Sequence, residues 1–149
     1  MEVKVQRLAE LTSAEFYQIA RERVKVFVVE QNCPYQEIDE QDGTAYHLRL
    51  FDDAGHLVGY TRLMATATGA AFGRVLVPQA YRGHVYGRQL VAATIDWAHR
   101  LFPGKLIEIE AQNYLRHFYE SFGFKAISEV FLLDGIPHLK MILATEGGD

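Results

Sequence analysis

Arg82-Gly-His-Val-Tyr-Gly-Arg88 is the stretch of this chain best equipped to act on an anion. It follows an apolar run that stops at Pro78 and precedes a helical pattern that begins near Gly87, so it reads as a strand-to-helix loop. Such a loop leaves the first amides of the helix unpaired and pointing outward, where the helix dipole adds partial positive charge. Phosphate is the anion that suits this geometry, and Arg82 and Arg88 can add guanidinium donors on either side. A second polar set lies between Val29 and Leu48, where Glu30, Glu37, Asp39, Glu40 and Asp42 occur with no Lys or Arg among them. Pro34 breaks any long helix there, so the segment reads as an acidic loop. It is either a site for a cationic ligand or an ordinary solvated loop.

The elements that must position these groups follow from hydrophobic spacing. Val3 and Val5 alternate with polar neighbours and predict a first strand to about Leu8. Thr12 and Glu15 have the spacing of a capping box, and Phe16, Ile19, Ala20, Val24 and Phe27 continue at helical spacing, which predicts a helix over 13–28. Arg21, Arg23 and Lys25 lie mostly off that stripe and read as a solvated face. Tyr46 to Asp52, Leu57 to Met64 and Ala71 to Val77 read as three strands of an antiparallel meander. Arg88 to Phe102 carries two adjacent apolar lines, a broad face suited to lying on a sheet, and Pro103-Gly104 ends it. Leu106 to Ala111 is then a strand, and the crossover before it requires a parallel pair. Leu115, Phe118, Tyr119 and Phe122 mark a shorter helix closed by Gly123. Two last strands, about Phe124 to Leu133 and His138 to Leu143, are joined through Asp134-Gly-Ile-Pro137, and the tail from Glu146 to Asp149 is expected to fray.

The 149 residues, 49% hydrophobic, suit one domain spanning 1–149. A net charge of −4 argues against a general binder of nucleic acid or anionic membrane. Cys33 is the only cysteine, which excludes an internal disulfide and a cysteine zinc cluster, and none of the six histidines has metal-ligand spacing. The N-terminus lacks an apolar signal core and no window approaches a membrane span. A soluble cytoplasmic protein without a bound metal is expected.

The order of elements, with Arg82 and Gly87 in the loop, resembles the GNAT superfamily of acetyl-CoA-dependent N-acetyltransferases, whose loop motif is Gln/Arg-x-x-Gly-x-Gly/Ala. Val85 takes the place of the first glycine. Asn113-Tyr-Leu-Arg-His-Phe-Tyr-Glu-Ser-Phe-Gly-Phe124 resembles the family's second signature, and Val26 to Asp39 together with Asp134 to His138 resemble its ElaA-type branch. The fold so implied is α/β (α+β): a mixed, mostly antiparallel central sheet of about seven strands flanked by about four helices.

The resemblance implies transfer of an acetyl group from acetyl-CoA to a primary amine, small molecule or peptide, by direct attack in a ternary complex. The amides of Arg82, Gly83, His84, Val85, Tyr86, Gly87 and Arg88 would cradle the coenzyme pyrophosphate. A branched residue at position 85 restricts φ to negative values, so a loop needing positive φ there would bind less well. The main chain of Val75, Leu76 and Val77, facing Ile109 to Ala111, would pair with the pantetheine arm, and an N–H near Leu76 or Val77 could polarise the thioester carbonyl. Asn113 would bond the coenzyme or simply cap a helix; Phe118 belongs to the same signature. Tyr119 would protonate the departing thiolate, with an amphipathic core tyrosine as the other reading. A base must take the amine proton, and Glu30 leads because the apolar run before it would bury it and raise its pKa. His47, Glu110 and His138 are alternatives, each equally open to a structural role. A catalytically silent acyl-CoA-binding module and a nucleotide-binding enzyme are the rival classes. The second lacks the Gly-Lys-Ser/Thr ending of a triphosphate loop. A homodimer through C-terminal edge strands is left open.

Overall fold

The computed structural model describes residues 1–144, so the expected fraying of the tail lies outside the described residues. Eight strands form one mixed sheet: β1 (Glu2–Arg7), β2 (Tyr46–Phe51), β3 (Leu57–Ala65), β4 (Gly69–Leu76), β5 (Leu106–Gln112), β6 (Lys125–Ala126), β7 (Phe131–Leu133) and β8 (Ile136–Leu143). Their order is β1-β2-β3-β4-β5-β8-β6, with β7 also on β8. Only β4 and β5 run parallel, as the crossover through α2 (Tyr86–Leu101) demands. The expected strand from Phe124 to Leu133 is two short strands, β6 and β7, separated by Ile127 to Val130.

The capping box holds as drawn: Glu15 N–H donates to Thr12 Oγ1 at 3.1 Å and Thr12 N–H to Glu15 Oε1 at 2.8 Å, opening α1 (Ser13–Arg23). The helix does not run on to Val28 as expected. Val24–Glu30 is wound as a π-helix, where β-branched side chains crowd a tighter coil. The wider turn rotates the stripe, so Val26 and Phe27 are buried while Val24 is exposed. Arg23, expected on a solvated face, is 0% exposed. With α3 (Arg116–Glu120), the chain has three α-helices and this π segment among the described residues.

The core lies between the sheet and α2, where Leu90, Val91 and Ala98 meet Leu48, Leu63, Phe72, Ile107 and Met141. A smaller apolar cluster, Ile19, Val26, Phe27, Tyr60 and Leu76, seats α1 on the opposite face. At Gly69 a β-carbon would stand 2.4 Å from the Leu106 carbonyl oxygen, so glycine permits β4 to start tight against β5.

Candidate active site

The site begins as a failure of strand pairing. β4 and β5 pair only from Gly69–Ala71 to Leu106–Glu108, although β4 runs on to Leu76 and β5 to Gln112. On the other side of β4, Tyr60 stands opposite Leu76 and Arg62 opposite Gly73, so β4 holds one residue more than β3 across the same span. That bulge contains Arg74 at φ +52°, and a bulged strand bends. The strands part into a cleft of about 1000 Å³, with Val75, Leu76 and Val77 on one wall and Ile109, Ala111 and Gln112 on the other. The Val77 carbonyl accepts from Arg82 Nε at 2.8 Å, while its amide makes no hydrogen bond among the described residues.

At the cleft mouth the amides of Gly83 through Arg88 likewise have no partner among the described residues; the first helical bond is Gln89 N–H to Val85 O at 3.0 Å. Val85, the N-cap of α2, offers no capping side chain and sits at φ −85°, ordinary for a branched residue. The left-handed position of the loop is Gly83, at φ +83°, where glycine costs little. Arg82 is exposed and also paired to Glu30, Nη2 to Oε1 at 2.9 Å. Arg88 Nη2 donates to Ser121 Oγ at 2.7 Å, its guanidinium 4.7 Å from the Phe122 ring centroid. An unpaired strand edge leading to a row of unbonded amides fits a chain of amides ending in phosphates.

Tyr119 lines the cleft, is 5% exposed, and has no hydrogen-bond partner for its hydroxyl among the described residues. Burial, with Tyr114 adding to it, pushes its pKa well up, so the phenol keeps its proton. Phe118, also in the lining, packs against it edge to face at 5.3 Å. His138 is 8% exposed and lines the same cleft. Its Nδ1 lies 2.7 Å from the Ile136 carbonyl, which can only accept, so Nδ1 carries the hydrogen and Nε2 has no hydrogen-bond partner among the described residues.

The other base candidates sit differently. Glu30 reaches the cleft, but it is not buried by the valines before it: the π turn carries it to the surface, where Arg82 pairs with it. His47 does not line the cleft. It is 0% exposed, its Nε2 donates to the Asp42 carbonyl at 3.1 Å, and its Nδ1 accepts from Tyr60 Oη at 2.6 Å. Glu110 lies on the cleft wall. Asn113 is exposed at the start of a 3₁₀ turn and falls outside the lining; it caps nothing, since Gln112 is the N-cap.

The acidic loop is neither an open cation site nor an ordinary solvated loop. No cation lies within it, but three arginines reach in from other elements. Arg23 Nε meets Glu37 Oε2 at 2.7 Å and Arg23 Nη1 meets Asp42 Oδ1 at 2.6 Å; Arg62 Nη1 meets Asp39 at 2.8 Å; Arg74 Nε meets Glu37 Oε2 at 2.8 Å. Tyr35 Oη also donates to Glu37. Glu37, Asp39 and Asp42 are thereby neutralised, and the loop is a buried clamp rather than a free acidic patch. The roles of Tyr35 and Arg74, and the arginine partners of Glu37, are not legible in the sequence, because pairing across distant elements leaves no local signal. Alternation marks Glu108 and Gln112 as well as the already named Glu110, since the three alternate with Ile107, Ile109 and Ala111 in β5.

The chain belongs to the GNAT acetyltransferases: the family model described as Acetyltransferase (GNAT) domain matches residues 14–145. Within that family it is ElaA-like. Protein ElaA of Escherichia coli is 39% identical over 137 residues, covering 89% of this chain and 90% of that protein. The crystal structure of Escherichia coli ElaA matches at a TM-score of 0.87 and 37% identity, covering 95% of this chain and 97% of that one. The crystal structure of an acyl-CoA N-acyltransferase from Pseudomonas aeruginosa matches at a TM-score of 0.89 and 37% identity, covering 97% and 100%. Membership implies an acyl-CoA donor and an amine acceptor. No described helix is long and apolar enough to cross a membrane.

Proposed function

We propose that this chain is an N-acetyltransferase that moves the acetyl group of acetyl-CoA to a primary amine by direct attack, with both substrates bound together. The observation that carries the reading is one cleft with a row of unbonded amides, Gly83 to Arg88, at its mouth and two buried groups with free proton-transfer atoms, Tyr119 and His138, in its wall. Bound coenzyme supplies the acetyl thioester as electrophile.

The chain's own groups do the rest. The Gly83 to Arg88 amides take the pyrophosphate, with Arg82 and Arg88 as charged donors once they turn from Glu30 and Ser121. The main chain of Val75, Leu76 and Val77 pairs with the pantetheine amides, and the open Val77 N–H polarises the thioester carbonyl. Phe118 closes the slot beside Tyr119, and Asn113 reaches the coenzyme only from outside the lining. His138 Nε2 accepts the amine proton, directly or through water, and Tyr119 gives its proton to the departing sulfur. Glu30 serves the Arg82 pairing and His47 the buried clamp. A reducing cytosol suits the free Cys33 thiol.

The test is acetyl-CoA titration followed by free-thiol release across a panel of amines. Amine-dependent release is expected. Binding without amine-dependent release would leave a coenzyme-binding module in place of an enzyme.

A further inference from the structure

The arginines on the cleft wall are all spoken for: Arg62 by Asp39 and Asp42, Arg74 by Glu37 and Asp39, and Arg82 by Glu30. The charged side chains of the lining that form no ion pair among the described residues are Glu108, Glu110 and Asp134, and all three are negative. Glu108 and Glu110 project from β5 on the face opposite the α2 core, because the residues between and beside them, Ile107, Ile109 and Ala111, belong to that core. Glu108 stands at the point where β4 and β5 part, in register with Ala71. Gly73 follows Ala71 at the next place on that face of β4, so small residues leave room above the carboxylates. Lys140, opposite Glu110 in register, makes no ion pair with it. His138, nine-tenths buried with an unpartnered Nε2, lies on the same face of the neighbouring strand, opposite Gln112.

A reacting amine must be neutral when it attacks, and His138 is the group poised to make it so. The uncompensated charge on β5 therefore suits a different part of the acceptor. Resting on the transferase reading above, we propose that the acceptor is an amine with a second cationic group, an ammonium or guanidinium, and that Glu108 and Glu110 receive that group as paired carboxylate acceptors. Their α-carbons are about 7 Å apart along the strand, so a single cation can lie between the two side chains.

The experiment compares straight-chain diamines of three to six carbons with the monoamine of equal length, using acetyl-CoA, for the wild type and for the double variant Glu108→Gln/Glu110→Gln. The wild type should show a diamine-to-monoamine ratio of kcat/KM of about tenfold or more, carried mainly in KM, and the double variant should bring the ratio close to one. Calorimetric titration of the same amines into the coenzyme A-saturated protein should show the same preference, independent of turnover. A wild-type ratio near one at every length, or a preference that survives in the double variant, overturns the proposal. Absence of thiol release with every amine, while acetyl-CoA and diamine still bind, counts against the transferase reading and leaves the cation site standing.

Discussion

Arg74, at φ +52° in the β4 bulge, donates Nε–H to Glu37 Oε2 at 2.8 Å and Nη2–H to the Glu37 carbonyl at 3.1 Å. A non-glycine residue in that conformation costs about 1–2 kcal/mol, and the ion pair offsets it. The same carboxylate receives the fully buried Arg23, so Glu37 ties α1, the loop after it and the bulge that opens the cleft. Glu37→Ala should destabilise the fold by about 3–5 kcal/mol, because it strips a partner from buried Arg23. Urea unfolding measures this, and a loss under about 1 kcal/mol would show that the clamp does not hold the fold.

Acid should weaken the same cluster in two stages. Burial pushes the pKa of His47 down, and nearby Arg23 and Arg62 add to this against the pull of Asp42. Burial alone would raise Asp42, but its bonds from Arg23 and the Asp39 amide hold it below the usual carboxylate range. Both groups are more acidic folded than unfolded. Each contribution is therefore complete above the unfolded pKa, about 6.5 for His and 3.9 for Asp, and is lost as pH falls through the folded value. Melting temperature should be flat from pH 8 to 7, decline between pH 6.5 and 5 as His47 must charge, and drop again below pH 4. A melting temperature that does not move between pH 8 and 5 would contradict this.

The phosphate loop separates two residues that look alike in a motif. Gly83→Ala forces a β-carbon into φ +83° and should weaken acetyl-CoA binding about fivefold, through strain rather than contact, since the space around it is open. Val85→Gly should leave affinity within about twofold, because Val85 already has a comfortable φ. Calorimetry with both variants decides it; a larger loss at position 85 than at 83 would assign the critical backbone position to Val85.

These contrasts show what the sequence made legible. Alternation and helical spacing placed the meander, α2 and the crossover to within a residue or two, because each is dictated by local side-chain periodicity. Tyr119 was marked by its place in Asn113 to Phe124, and the loop by Arg82 and Gly87. The acidic segment misled, since the three arginines that neutralise it lie on α1, β3 and β4, and nothing local in Glu37 or Asp42 reports them. The extent of α1 misled for a related reason: the valine run from Val24 keeps helical spacing but is wound as a π turn, which leaves Glu30 exposed, while Arg23, at the end of α1, is buried among Glu37 and Asp42.

The two proposed proton-transfer groups are each tested by turnover. Tyr119→Phe keeps the packing with Phe118 and removes only the hydroxyl, so kcat should fall about 100-fold with acetyl-CoA affinity within about twofold. His138→Gln should lower kcat comparably, with acetyl-CoA affinity again within about twofold. Wild-type turnover in either variant removes that residue from the chemistry.

The most direct measurement is a product balance at pH 8 with purified protein, acetyl-CoA and a diamine, following acetylated amine by mass spectrometry and free coenzyme A by thiol titration. The expected result is equal amounts of the two products, with no acetyl group retained on Cys33 in the intact protein mass. Coenzyme release without acetylated amine, or acetyl-CoA bound and returned unchanged, would contradict acetyl transfer in this cleft.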